Sequence, residues 1–489
     1  MKKSTLILLA ALFTANLSAE ERVVTSLAGD AETEGSFRQV MNSLENGDIV
    51  TFNIPEGDEI LLEGQSGCPK AVGNVYVIDG INKATGNRIT FRSVGDSFPF
   101  FKGLDGATAS KMDITFRNII VKEFNNTGNG AGFALGNSKT ATEGDTENYA
   151  TFRLINSEVS DCLINAPENG KASGCAIFNG RGVDVIIDQC VFSNNEIIYP
   201  EALIGTKLAQ GGAVIATTGN NNGSFLISNS TFYGNKINVG RGGAIYAGYP
   251  VTLINCTIAG NSGEMGGGFY AHNDQPMILI NSIFYQNIST GTDLSGEDVR
   301  RNNGSFQIYN CLVGSANESD GAAEKGFTFE GNNNITVIPG VMKVFENDAA
   351  PELKDNGGNT LTVALHATQS MAAKAGIATA PAGIDVTIPT VDQRGYTRAA
   401  KPCMGAFELG GIEPVGIQTA TADAKFNYSV EKGRLVIAES GECRIFNMLG
   451  AKITELTING SAPINLESGI YIVRFMNEAG TSVAKVLIP

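Results

Sequence analysis

The segment VTLINCTIAGN, residues 251–261, comes back in altered form as SFLISNSTFYGN before it and PMILINSIFYQN after it, each copy setting one Asn between apolar pairs. Aligned on that residue, the chain holds seven copies, centred on Asn118, Asn156, Gln189, Asn229, Asn255, Asn281 and Asn310. Two residues before the centres stand Phe116, Leu154, Ile187, Ile227, Leu253, Leu279 and Ile308, and four before stand Ile114, Phe152, Val185, Phe225, Val251, Met277 and Phe306. Three after stand Val121, Val159, Phe192, Phe232, Ile258, Phe284 and Val313, with small Ser157, Cys190, Ser230, Cys256, Ser282 and Cys311 one after. A period of two marks a strand with one buried face. The phase slips at the centre itself. Asn enters the left-handed backbone region more readily than other non-Gly residues, so a strand that bends there keeps one face inward on both sides.

The centres are spaced by 38, 33, 40, 26, 26 and 29 residues, the range of a solenoid in which each repeat is one coil. GGAVI at 211–215, GGAIY at 242–246 and GGGFY at 266–270 each precede a centre, with SGCAIF at 173–178 as a weaker copy. Paired Gly suits a turn into a further inward strand. Short strands, no helical period between them and loops of variable length predict an all-β chain built on a right-handed parallel β-helix. A propeller would need hairpin signals, which are sparse. The columns at −4, −2, +1 and +3 should face inward and the centres should stack as a side-chain ladder. On this register Leu253 is interior and Thr257 exterior, so Asp is excluded at the first and tolerated at the second.

Ahead of the coils, Phe37, Val40, Met41 and Leu44 fall at helical spacing, with Gly47 to end the helix. Such a helix caps the open solenoid end, which otherwise exposes apolar side chains and strand edges. The start, MKKSTLILLAALFTANLSA, has basic residues, an apolar run from Leu6 to Leu12 and small residues to Ala19. That is the arrangement of a secretory signal peptide, residues 1–19, and its apolar run is too short for a bilayer span. No membrane span is expected after its cleavage, and the product is exported to the cell surface, the outer membrane or the medium.

The chain carries 35 basic against 50 acidic residues, a net charge of −15, with no Lys/Arg-rich run in the mature part, so nucleic acid is not expected as a partner. Eight cysteines in an exported chain invite disulfides, but Cys190, Cys256 and Cys311 lie two coils apart. At roughly 4.8 Å per strand such pairs sit about 9–10 Å apart, beyond the roughly 7 Å between Cα atoms that a disulfide spans. They read as small core residues. Cys68, Cys162, Cys403 and Cys443 stay undecided, and no CxxC spacing suggests zinc.

With GGAIY and NCTIAGN as matching phrases, residues 20–335 resemble secreted right-handed β-helix proteins of the pectate-lyase-like and polymorphic-outer-membrane-protein-like kind. Residues 336–408 are similar to the choice-of-anchor Q module that follows such β-helices in bacterial surface proteins. That likeness lies in Asn356, Gly357, Gly358, Asp392, Gln393, Arg394, Gly395, Gly405, Ala406, Phe407 and Glu408, with Cys403-Met404 where relatives carry Asp-Ile. Asp392 and Arg394 read as an ion pair in a closing turn. After a linker at 409–422, residues 423–489 alternate as short strands between Gly turns and predict a small β-sandwich. Through Gly469, Tyr471, Val473, Phe475, Lys485 and Val486 this end resembles a C-terminal sorting domain of the type IX secretion system of Bacteroidetes, which implies that secretion machinery as a partner.

The superfold hosts lyases, hydrolases and adhesins, so it does not decide function. Catalysis on an outer face needs convergent carboxylates, with Ca²⁺ as the expected cofactor of a lyase, and an Arg or Lys to take the proton. The repeats are poor in such groups. Catalytic candidates are Arg181 and Arg241, each between glycines, and Glu264, His272 and Asp274 in the next loop. The reading favoured for all five is a solvated loop. No cofactor or metal site is expected for the leading function, a non-catalytic adhesin or structural surface protein with a polysaccharide or host-surface ligand. The alternatives are a lyase or glycoside hydrolase acting on acidic polysaccharide, and a glycan-binding module without turnover.

Overall fold

The computed structural model describes residues 20–488 apart from 65–74, 96, 104–111, 137–149, 169–171, 181–182, 205–210, 218–222, 273–275, 292–296, 302–305, 319–331, 339, 414–427, 432–433, 447–451, 465, 467–468 and 478–479. The expected signal peptide, Cys68, Arg181, Asp274 and most of the expected linker lie outside the described residues. The chain divides into two compact units, one to Ile412 and one from Glu413. Among the described residues no helix is long and apolar enough to cross a membrane.

The first unit is a parallel β-helix with four faces. Its first and second faces have ten strands each, from Glu21–Val24 to Phe306–Tyr309 and from Glu59–Glu63 to Ile335–Thr336. The third has six short strands, Asn125–Asn126 to Ile288–Ser289, and the fourth has eight, Phe101–Gly103 to Ala316–Glu318. The apolar columns stack as the repeat predicts: Val251 pairs with Phe225 and Met277, and Ile258 with Phe232 and Phe284. Leu253, Cys256 and Ile258 are fully buried.

Every one of the seven centres has a positive φ, from 44° at Asn229 to 58° at Asn118. The bend between the first and second faces is therefore a single left-handed residue. Their amides form two ladder runs, each starting on an aspartate. Asn118 donates to Asp79 (2.7 Å) and Asn156 to Asn118 (2.7 Å). Asn229 then donates to Asp188 (3.1 Å), Asn255 to Asn229 (3.3 Å) and Asn281 to Asn255 (3.0 Å). Gln189 interrupts the runs and donates instead to the Asp392 carbonyl at 3.2 Å. The Ser and Cys side chains one residue on turn back to the carbonyl before the bend, as Ser230 does at 2.6 Å and Cys256 at 3.4 Å. All seven described cysteines are free and buried.

A second bend follows five residues after each of the first six centres, at Glu123, Asp161, Asn194, Gly234, Gly260 and Gln286, again with positive φ. Behind it runs an interior ladder: Asn195 donates to Asn235 (3.0 Å), Asn235 to Asn261 (2.8 Å), Asn261 to Asn287 (2.9 Å) and Asn287 to Asp298 (2.7 Å). The paired-Gly turns lead into the fourth face. Gly242 sits at φ 71°, and a Cβ there would meet the Ile245 carbonyl oxygen at 2.3 Å.

The capping helix spans Phe37–Asn42, its Ser36 side chain accepting from the Gln39 amide. It ends at Ser43 and not at Gly47, since the Ser43 amide closes on the Val40 carbonyl. Phe37 enters the solenoid interior, 4.7 Å from the Phe91 ring, with Val40 and Met41 beside it in the core.

Residues 337–412 are largely irregular and lie on the outside of the later coils. Ile388 joins outward Leu226, Ile254 and Ile280 of the first face. Val344, Phe345, Cys403 and Met404 cover Ala259, Ile283, Tyr285 and Leu312 of the second. This corrects one expectation. Thr257 is exterior to the coil yet only 1% exposed, its hydroxyl accepting from the Ala406 amide at 3.0 Å.

The second unit is a five-stranded antiparallel sheet in which the long strand Arg434–Phe446 pairs with Tyr428–Glu431, Lys452–Pro463 and Gly469–Asn477, and the last in turn with Gly480–Ile488. Leu435, Ile437, Cys443, Ile445, Ile458, Val473 and Phe475 form a core of its own.

Candidate functional site

Three of the five candidates are described, and they gather near a pair of tyrosines on the outside of the fourth face. Tyr246 and Tyr270 stand in register on adjacent strands with rings 5.9 Å apart and nearly parallel. His272 stacks on Tyr246 at 5.4 Å, and the Arg241 guanidinium lies 5.1 Å over the Tyr270 ring. Outward positions on this face continue as Phe178 and Ala216 before them and Arg300 after. Glu264 does not aim at the tyrosines. Its Oε2 accepts from the Gly240 amide at 3.0 Å, the backbone donor of the turn that carries Arg241.

The solvated-loop reading fails for two of them. Arg241 is 9% exposed and Glu264 7%, because the glycine turns of adjacent coils stack on each other: Arg241 bridges to Gly211 on one side and Met265 on the other. Tyr270 is fully buried. Burial of both the ring and the cation makes this a packed cation–π contact.

Asp392 and Arg394 form the expected ion pair at 2.7 Å, both buried. Arg394 is held between the Tyr396 and Phe407 rings, 4.2 and 3.9 Å from their centres. Asp392 also accepts from the Glu408 amide at 3.0 Å, which closes the turn.

An open site lies elsewhere, on the second face before residues 337–412 begin to cover it. The outward column there runs Glu59, Thr90, Ile120, Glu158 and turns to Val191, Thr231, Thr257 and Ile283 under the cover. The open part is a shallow groove of about 420 Å³ lined by Asp58, Glu59, Thr90, Arg92, Ile120, Lys122, Glu123 and Glu158. Arg92 joins Glu59 at 2.8 Å and also Glu123, and Lys122 reaches Asp161 at 3.5 Å. The hydrogen bonds that Arg92 donates to Glu59 and Glu123 hold its guanidinium above the ordinary range. Partial burial raises the Asp58 carboxyl, but hydrogen bonds from Thr85, Asn87 and Asn82 outweigh it and leave the group below the usual carboxylate range. Paired charges of this kind present donors and acceptors side by side, which suits polyhydroxylated ligands. Among the described residues, no three His, Cys, Asp or Glu side chains gather as a metal ion would require.

Sequence reasoning passed over this groove because its residues look like any solvated strand face. The one signal was the loss of charge from the same outward column after Glu158. No family model and no curated protein matches the chain.

Proposed function

We propose that this protein is an exported, surface-displayed parallel β-helix of the pectate-lyase-like or polymorphic-outer-membrane-protein-like kind. It acts as a non-catalytic adhesin or structural surface protein, and residues 423–489 are its type IX sorting address. The observation that carries the non-catalytic reading is the use made of the candidate charges: Glu264 serves a backbone amide and Arg241 a tyrosine ring, so neither is aimed at a shared point in solvent. Support for the sorting reading is that the C-terminal unit has its own core and belongs to no coil.

Incubation with pectate, chondroitin or alginate, with and without Ca²⁺, tests the first part. No unsaturated-uronate absorbance is expected. If it develops and is lost in Arg241→Ala or His272→Ala, the chain is a lyase working at the tyrosine pair.

The open mixed-charge groove favours a second reading, glycan binding without turnover. Retention on immobilised glycans that falls in Arg92→Ala would establish it; unchanged retention would place the ligand elsewhere.

A further inference from the structure

The outward positions of the solenoid change character along its axis, and the change coincides with the reach of residues 337–412. In the early coils they carry ion pairs, Arg117 with Asp79 at 2.7 Å and Arg153 with Asp113. In the later coils buried apolar side chains stand at outward positions of both outer faces, Leu226, Ile254 and Ile280 on one and Ile283 and Leu312 on the other. Strands apolar on both sides need cover on both sides. For these coils the only described cover comes from a segment that follows them in the chain.

The segment is fastened along the asparagine corner. Asn281 exchanges two hydrogen bonds with the Ile377 backbone, at 2.8 and 2.9 Å. The Gly405 amide donates to the Asn281 carbonyl at 2.6 Å, and Thr231 to the Gln393 side chain at 2.6 Å. At the centre is Arg398, whose side chain is 2% exposed. It donates to Asn229 Oδ1 (3.1 Å), to the Gly405 and Val391 carbonyls (3.0 Å each) and to Glu408 Oε2 (3.3 Å). Glu408, equally buried, also accepts from the Cys403 amide at 2.8 Å. Removing one member of a buried pair strands the other charge, which costs far more than losing a surface pair.

A solenoid's stability is close to a sum of coil and neighbour contributions, so a fastening that touches some coils stabilises those coils. We propose that residues 337–412 are a clasp, locked by Arg398 and Glu408 on the asparagine corner, without which the coils from strand Phe225–Ser228 onward do not hold their fold. The early coils are self-sufficient; the later ones close last, once their C-terminal flank has joined them. On the export reading, this keeps the second half of the solenoid threadable until the clasp has crossed.

Hydrogen exchange on the full mature chain tests this. Arg398→Met removes the lock. Gly405→Val, at φ +89° with a Cβ that would stand 2.7 Å from Ile283 Cδ1 and 2.8 Å from Thr257 Oγ1, lifts the segment by a different route. Both should speed exchange in 225–233, 251–259 and 277–285 by roughly a hundredfold or more and leave 113–122 and 150–160 unchanged. Arg153→Ala, which breaks an early surface pair, should change neither region. Should the strong variants not fold, Gln393→Ala, which loses the bond from Thr231 and those that Gln393 gives to the Thr360 hydroxyl and the Leu361 carbonyl but leaves the Arg398–Glu408 pair in place, should show the same pattern at roughly tenfold. Acceleration spread evenly over all coils, or none in the later ones, overturns the proposal.

Discussion

Asn255 is where the geometry of the bend can be turned into numbers. Its φ is 55°, its side chain is fully buried, and it stands in mid-ladder, giving a hydrogen bond to Asn229 at 3.3 Å and taking one from Asn281 at 3.0 Å. Replacement by Gly deletes both bonds and the buried amide but leaves a residue at ease in the left-handed region. At about 1 kcal/mol per hydrogen bond, Asn255→Gly should cost about 2 kcal/mol. Replacement by Ala deletes the same amide but, unlike Gly, keeps a Cβ at positive φ without the polar group that eases Asn into the left-handed region, so it should stand a further 1–2 kcal/mol or so below the Gly variant. Asn255→Ala should therefore cost about 3–4 kcal/mol. Guanidinium unfolding combined with hydrogen exchange over 251–259 separates the two, exchange being needed because a solenoid does not unfold as one unit. An Ala variant no worse than the Gly variant would refute a bend made by backbone conformation and leave only the ladder. If neither variant cost more than about 0.5 kcal/mol, within the ordinary range of surface substitutions, the ladder would be idle too.

The remaining expectations concern charge, thiols and the tail. Burial pushes the Asp298 carboxyl up to about 7 against hydrogen bonds from Asn287 and Ser315. A raised folded value means that the stability it contributes is full below the ordinary carboxyl range and is lost as pH rises through about 7. Melting of wild type minus Asp298→Asn should show this slope between pH 4 and 8 or so; a flat difference would contradict it. Thr257→Asp should destabilise the chain as Leu253→Asp does, by several kcal/mol, since it buries an unpaired charge beneath Ala406. Burial also raises the thiols, Cys162, Cys256 and Cys311 to about 12, so the seven described cysteines should resist alkylation in the native state and react in denaturant. A chain ending at Ile412 should keep its coil protection but stall in the periplasm of its host, and normal export of it would remove the sorting reading.

The coil was legible because its determinants are local. A left-handed residue in the middle of a strand forces the apolar period to slip, and that slip is visible in any one copy. The capping helix was legible for the same reason, through the spacing of Phe37, Val40, Met41 and Leu44, though its end was not, since it closes at Ser43 and not at Gly47. The second bend was not, because Glu123, Asp161, Asn194, Gly234, Gly260 and Gln286 share a backbone angle and no side-chain chemistry. Its trace was the Asn six residues after the centre in four successive coils, Asn195, Asn235, Asn261 and Asn287, which stack inside. The clasp was legible only from the strands it covers. Leu226, Ile254 and Ile280 put apolar groups on both sides of a strand, which in a parallel sheet means cover on both faces, while the clasp itself has no period to read.

The site shows where residue-type reasoning misleads in a solenoid. Arg241 and Glu264 drew attention as charges among glycines, the setting in which an exposed functional group is usually displayed. In stacked coils the same setting leaves backbone amides in need of acceptors, so the nearest carboxylate is claimed by the turn itself, as Glu264 is by Gly240. Charges on outward strand positions meet the opposite condition: their backbone is satisfied by the neighbouring strands, and the side chains stay available unless another segment lies over them. Over Thr231, Thr257 and Ile283 the clasp does; over Arg92 and Lys122 it does not, and both remain more than a third exposed. A search for ligand contacts therefore belongs on the uncovered groove. Arg92→Ala and Lys122→Ala should weaken any ligand held there while leaving melting within about 0.5 kcal/mol of wild type, as expected of exposed pairs. Tight binding that survived both and vanished in His272→Ala would return the site to the tyrosine pair.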